Sequence, residues 1–473
     1  MSLVGAKVLR KEDPRLLTGT GTFVDDLAPS RCAFASFVMS TEAHARIVSI
    51  DVRAALRIPG VQAVFTAEDF VDFPDLPGGF TDLERPALAR NFVRFVGEPV
   101  AVVVADDRYI AADAAQAVDI QYDTLPVVTT IAAATAPGAP LLFPHHGSNV
   151  VTTVPMLDDL ERELARCDGR AKLHIVNQRC AAVPIEPIAC IADWRIDGLT
   201  LWATFQAPHH LRNYLSTWLD IPQTRCRVIA PDVGGGFGAK IVWYPEFFIA
   251  PVLSKRLGCP VKFAQTRTEA MQQMSAGRDQ EHDIEVGYER DGTIKALRLV
   301  VSQNLGAYAD PTGLGLPVLT TWMAAGAYRI PRVETSFRTV LTNTTPVAAY
   351  RGAGRPRPRI PSNASSIWSR AELAVIQPRC VARTSFHRRP SRTRPTTRRS
   401  STTRPTSPKH SLSAFGSSTT RQFGPNRCRG LAIVLNRCLV SGCPVGWKLP
   451  ASARTGRSRA LVTWPRGSRL KFE

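Results

Sequence analysis

The sequence predicts a mixed α/β fold, α+β in class, with strands dominant and helices between them. Three observations carry that reading. Short runs of β-branched and apolar residues recur between residues 61 and 301, alanine-rich or apolar stretches of helical spacing separate them, and three consecutive glycines, Gly234-Gly235-Gly236, follow one of the runs. The class applies to residues 1–356. Beyond them the composition changes abruptly.

In chain order, Glu12-Asp13-Pro14-Arg15-Leu16-Leu17-Thr18-Gly19 and then Phe23-Val24-Asp25-Asp26 are polar and rich in turn formers, which predicts an ordered N-terminal arm. Val61 to Phe65 and Pro99 to Val104 read as strands, and Tyr109 to Val118, alanine-rich with Ile and Val spaced for one face, reads as a helix. These make residues 1–130 a first α/β domain. Residues 131–170, with Ala132-Ala133-Ala134-Thr135-Ala136-Pro137-Gly138-Ala139-Pro140 and an acidic stretch from Asp158 to Glu163, read as a linker. A second α/β region, residues 171–356, holds strand candidates at Leu199 to Ala203 and Ile294 to Val301 and a helix from Glu246 to Arg256.

The 473 residues carry a net charge of +19, which invites a nucleic-acid reading. Its distribution argues against one. Residues 361–473 hold 22 Lys and Arg against 2 Asp and Glu, leaving 37 against 38 in residues 1–360. The body is neutral. The tail, residues 357–473, is crowded with Arg, Ser, Thr and Pro, as in Arg388-Arg389-Pro390-Ser391-Arg392, and is expected to lack order because it offers too little apolar surface to offset chain entropy. The ten cysteines are scattered without a CxxC pair, so no iron–sulfur or zinc site is expected on this chain. The opening residues lack a signal-like apolar stretch and no apolar run reaches membrane-spanning length, so a soluble, cytoplasmic protein is expected, with no membrane partner.

The candidate site is Val233-Gly234-Gly235-Gly236-Phe237-Gly238-Ala239-Lys240, directly after the run Arg227 to Ala230. Consecutive glycines open backbone conformations closed to other residues and let an anionic cofactor approach the N–H groups; a tight turn without a ligand is the bland alternative. A phosphate-binding P-loop is excluded because Ile241, not Ser or Thr, follows Lys240, and the glycine spacing does not fit a dinucleotide fingerprint. A second stretch, Ala349-Tyr350-Arg351-Gly352-Ala353-Gly354-Arg355, is expected to fold back onto the first.

With these motifs in view, the chain resembles the molybdopterin-binding large subunits of the xanthine dehydrogenase and aldehyde oxidase family, in particular the carbon monoxide dehydrogenase large subunits. The resemblance rests on Glu12 to Gly19, Ala43-His44-Ala45-Arg46-Ile47, Val96-Gly97-Glu98-Pro99-Val100-Ala101, Ile185-Glu186-Pro187, Gln206-Ala207-Pro208-His209, the triple glycine with Phe237, Asn343-Thr344-Thr345-Pro346, and Ala349 to Arg355, all in order. It implies an N-terminal α/β hammerhead domain and then the first part of a molybdopterin-binding region. It also implies a molybdenum–molybdopterin cofactor, in the cytosine dinucleotide form, with the metal held by the pterin dithiolene and not by side chains. Gln206 would hydrogen-bond an oxygen on molybdenum, the backbone at Gly235, Gly236, Phe237 and Gly238 would lie against the cofactor, and Arg351 would orient substrate or cofactor. The implied reaction is hydroxylation of a small molecule with oxygen from water, the electrons leaving through an FAD-binding medium subunit and a [2Fe-2S] small subunit.

Two departures shape the expectation. Members that oxidise carbon monoxide carry a cysteine in the second motif, where this chain has Gly352-Ala353-Gly354; with no soft ligand for copper there, an aldehyde or N-heterocycle is the expected substrate. The family's general-base glutamate, from its C-terminal part, has no counterpart, since Glu372 and Glu473 are the only acids after residue 360. The chain as written is therefore expected to be inactive.

A shifted reading frame near codons 356–357 is the expected cause of the tail. Read one base earlier, Arg357 to Ile367 can become Glu-Ala-Thr-Tyr-Ser-Ile-Glu-Arg-Leu-Ile-Asp, Thr384 to His387 can become Asn-Phe-Ile-Pro, and Thr402 to Ser407 can become Tyr-Asp-Ser-Ala-Asp-Phe, all family-like strings. One offset serves three separated segments. The rival readings are a carbon monoxide dehydrogenase large subunit, an RNA- or polyanion-binding protein using the basic tail, and a shorter hydroxylase with Glu186 or Glu246 as base.

Overall fold

Pro99–Ala105 is buried at every position, as an unbroken apolar run requires of a strand covered on both faces. It lies in the larger of the sheets found in the computed structural model, which describes residues 4–76, 83, 85–156, 160–355, 461–463 and 469–471. That sheet has seven strands, in the order Cys226–Ile229, Gly198–Ala203, Ala189–Arg195, Val261–Ala264, Ala33–Met39, Pro99–Ala105 and Val61–Thr66. Alternation along Pro99–Ala105 sorts its neighbours. Val102 and Val104 face Phe37, Phe263 and the helix Glu246–Leu257, whereas Ala101 and Val103 face Ala114 of the helix Arg108–Gln116.

The sheet joins the two sequence regions. Val261–Ala264 pairs antiparallel with Ala189–Arg195 on one side and parallel with Ala33–Met39 on the other. A five-stranded sheet follows the order Val150–Val154, Arg332–Leu341, Ile294–Gly306, Gln280–Tyr288 and Gly169–Asn177, and a three-stranded one has Phe92–Val93, Ala45–Asp51 and Asp119–Thr124. The segment 131–170 is built into this scheme. It supplies the helix Ile131–Ala134, capped by Thr130, the strand Val150–Val154, the helix Glu161–Ala165 and the start of Gly169–Asn177.

The anticipated elements form, with informative differences at their ends. The helix expected from Tyr109 starts at Arg108, because the Asp107 carboxylate accepts the N–H groups of Tyr109 and Ile110. The strand expected at Ile294 to Val301 runs on to Gly306. Its continuation reads as polar, but the polar groups are paired: Gln280 Nε2 donates to Gln303 Oε1 at 2.7 Å, and Asn304 Oδ1 accepts from Gly306 N–H at 2.8 Å. The arm contains a short helix, Asp13–Leu17.

Within the tail the described residues are Leu461–Thr463 and Arg469–Lys471, paired antiparallel; the expectation for the rest of residues 357–473 lies outside the described residues. Among those described, no helix is long and apolar enough to cross a membrane.

Candidate cofactor site

The strand Cys226–Ile229 delivers the chain to Asp232, where the N-terminal arm meets it. Arg15 forms a two-pronged ion pair with Asp232, and Thr22 N–H donates to the same carboxylate at 2.8 Å. The Arg15 hydrogen bonds hold the Asp232 carboxyl down at about 2. The arm thus anchors the start of the glycine loop.

Close approach explains the glycines. A Cβ on Gly234 would stand 2.5 Å from Glu186 Cβ, one on Gly236 2.6 Å from Gln206 Oε1, and one on Gly238 2.6 Å from the Ala349 carbonyl oxygen. Gly235 and Gly238 also take φ of +97° and +99°. Phe237 is held at φ 53° without being glycine, a conformation that costs on the order of 1–3 kcal/mol and concentrates at functional sites.

The second stretch folds back onto the first, as expected. Arg351 N–H donates to the Phe237 carbonyl at 2.7 Å, and its guanidinium lies 5.7 Å from the centre of the Phe237 ring. Arg278 steadies the turn from below, donating to the Arg351 carbonyl at 3.0 Å.

Gln206 stands between the strand end at Ala203 and the helix Pro208–Trp218. Its N–H donates to the Lys240 carbonyl at 2.9 Å, and its Oε1 accepts the N–H groups of Gly238 at 2.8 Å and Lys240 at 3.3 Å. With the oxygen engaged, the NH2 is left without an acceptor among the described residues, and the N–H groups of Gly235, Gly236 and Phe237 donate to none of them. The structure therefore brings Gln206, Gly235, Gly236, Phe237, Gly238 and Arg351 together. One detail differs from the sequence reading, because the Gly238 N–H faces Gln206.

Other groups at the site were not legible in this role. Glu186 and Lys240 form an ion pair at 2.8 Å, and Glu186 also accepts the Gly234 N–H at 2.7 Å. Glu246 is fully buried at the start of its helix, where burial pushes its carboxyl up to about 7 and Gln273 donates to it. Neither acid offers a free carboxylate to the loop. Only the Ile-Glu-Pro and Ala-Lys fragments hinted at Glu186 and Lys240, and no local pattern links residues so far apart.

Comparison with known proteins matches both regions of the chain. Residues 142–361 match the model of the molybdopterin cofactor-binding domain, and residues 18–126 that of the aldehyde oxidase and xanthine dehydrogenase a/b hammerhead domain. The 6-hydroxypseudooxynicotine dehydrogenase complex subunit gamma of Paenarthrobacter nicotinovorans is 34% identical over 364 residues, covering 74% of this chain and 46% of that protein. The carbon monoxide dehydrogenase large chain of Hydrogenophaga pseudoflava is 37% identical over 366 residues, covering 72% and 45%. Quinoline 2-oxidoreductase from Pseudomonas putida 86 superposes with a TM-score of 0.76 at 32% identity, over 81% of this chain and 50% of that one. The chain spans about half the length of these relatives. With residues 18–126 and 142–361 matched, it belongs to the aldehyde oxidase and xanthine dehydrogenase family of molybdopterin-binding subunits.

Proposed function

We propose that the cradle holds molybdenum–molybdopterin, in its cytosine dinucleotide form, as the cofactor-binding part of the large subunit of a molybdenum hydroxylase. One observation carries this reading: three consecutive unengaged N–H groups, the Gln206 NH2 and the Arg351 guanidinium lie on or beside one loop in which Gly234, Gly236 and Gly238 leave no room for a Cβ. Such a donor set fits an anionic, oxygen-rich group. When bound, that group supplies the redox chemistry of oxidative hydroxylation with oxygen from water. The residues seat and orient it. Gln206 donates to an oxygen of the group, the Gly235–Phe237 backbone lies against it, and Arg351, whose planar fork is braced on Phe237, grips the substrate.

The substrate proposed is an aldehyde or N-heterocycle. Names among the relatives, such as nicotine 6-hydroxylase large subunit and quinoline 2-oxidoreductase, support the heterocycle. The carbon monoxide reading has a relative of higher identity, but residues 349–355 contain no thiol to hold a second, soft metal. An FAD-binding medium subunit and an iron–sulfur small subunit complete the proposal, supported by relatives named as the gamma subunit of a complex and as large chains. A cytoplasmic site fits six free cysteines among the described residues.

Catalysis also needs a proton acceptor. Glu186 is tied to Lys240 and Glu246 is buried, so the base would come from a C-terminal part encoded in the shifted frame, and the chain as written would bind cofactor without turnover. The test is chemical. Full-length chain purified from molybdate-fed cells should contain molybdenum and acid-released cytidine monophosphate in equal amounts; molybdenum at background level would sink the reading. Resequencing codons 350–365 tests the frame, since an intact single frame there removes that part of the proposal.

A further inference from the structure

Lys240 ends the glycine loop, yet its side chain is wholly buried. In a phosphate-gripping loop a lysine at this place reaches for the ligand. Here it turns inward, and Nζ donates to Glu186 Oε2 at 2.8 Å. The same oxygen accepts the Gly234 N–H at 2.7 Å, and Glu186 N–H donates to the Gly234 carbonyl at 3.2 Å. Arg267 fixes the approach to Glu186 by donating to the carbonyls of Pro184 at 2.6 Å and Ile185 at 2.8 Å. At the other end, the Lys240 peptide groups hold Gln206 from both sides, its N–H donating to Gln206 Oε1 and its carbonyl accepting Gln206 N–H. One buried residue thus touches both the first glycine's anchor and the carboxamide.

We propose that Lys240 is a positioning residue: its ammonium, through Glu186, fixes the Gly234 end of the cradle while its peptide groups fix Gln206, so that the unengaged donors keep one arrangement. The lock rests on the proposed function only for the identity of what the cradle holds. Its physics is independent of that identity. A buried ion pair that loses one partner leaves a charge that the interior cannot solvate, whereas removing both charges leaves a neutral, packed site. Lys240→Met strands the Glu186 carboxylate, whose Oε1 is already buried without a partner, and draws it away from Gly234. Adding Glu186→Gln removes that charge and keeps an oxygen acceptor for the Gly234 N–H.

The test uses the full chain and two readouts, amide hydrogen exchange in peptides covering 232–241, with 99–105 as control, and molybdenum retained per chain. Lys240→Met should speed exchange in the loop about tenfold, leave 99–105 unchanged and lower retained molybdenum, and the double variant should recover loop protection to within about threefold of the native chain. Unchanged loop exchange in Lys240→Met, a double variant as fast as the single one, or equal loss at 99–105 would each overturn the proposal. If Lys240→Met is not recovered soluble, Glu186→Gln alone is read in the same peptides: faster loop exchange with a protected control supports the lock, and no change overturns it. If the native chain retains no molybdenum, the cofactor assignment fails while the exchange comparison still decides the lock.

Discussion

Glu246 shows how burial outweighs a favourable dipole. It sits in the first turn of its helix, where a carboxylate is usually stabilised, but it is fully enclosed and its pKa is pushed up from 4.5 to about 7. The folded state therefore holds this proton where the unfolded chain has released it. Stability from this group is complete below about pH 4.5 and is lost as pH rises through about 7, a change of about 3 kcal/mol. Urea unfolding at pH 5 and pH 8 should show that change in the native chain relative to Glu246→Gln; a constant difference between the two proteins would refute it. The glycines make a second contrast. Gly238→Ala meets a rigid backbone carbonyl at φ +99° and should cost roughly 1–3 kcal/mol. Gly236→Ala meets only the flexible end of Gln206, so it should displace the carboxamide and lower bound molybdenum with a smaller loss of stability. Denaturation midpoints and metal analysis separate the two, and equal stability losses would contradict this account.

The helix Glu246–Leu257 is the element on which the cradle rests. It is buried from Glu246 through Ser254 and ends at Gly258 in the left-handed region, so its apolar run faces core on all sides. Phe248 has no exposed surface, and Phe248→Ala should cost about 3–5 kcal/mol by calorimetry or denaturant titration. A loss under 1 kcal/mol would mean that the helix packs less tightly than its burial shows. The N-terminal arm works differently. The Arg15 side chain is 44% exposed, so its pair with Asp232 adds little to global stability but fixes where the arm lies. Arg15→Ala should leave the melting temperature nearly unchanged and make residues 10–20 markedly more sensitive to limited proteolysis. An arm that stays protected would show that other contacts hold it.

At the scale of the whole molecule, the seven-stranded sheet draws strands from both sides of residues 131–170. Val261–Ala264 lies between Ala189–Arg195 and Ala33–Met39, so separating the two regions would expose long unpaired sheet edges. A protease site inserted near Gly138, a turn position with open space around it, should therefore nick the chain without parting it. The two pieces should co-elute under native conditions and separate in denaturant; native separation would show that the shared sheet is too weak to hold them.

Much of this was legible in the sequence, for physical reasons. Pro99 to Val104 read as a strand, Glu246 to Arg256 as a helix, and three adjacent glycines as a tight turn or a place where backbone comes close to a ligand. Those are local properties, recorded in consecutive residues. The ordered motifs from Glu12 to Arg355 extended them to a family and to the six residues of the cradle. The sequence could not show that Lys240 turns inward to Glu186, that Gln206 uses its oxygen on the loop, that Arg15 reaches Asp232, or that one sheet joins the regions flanking residues 131–170. Each of these is a pairing between residues distant along the chain. Its energy depends on burial and on the geometry of a partner, and only the folded structure brings the partners together.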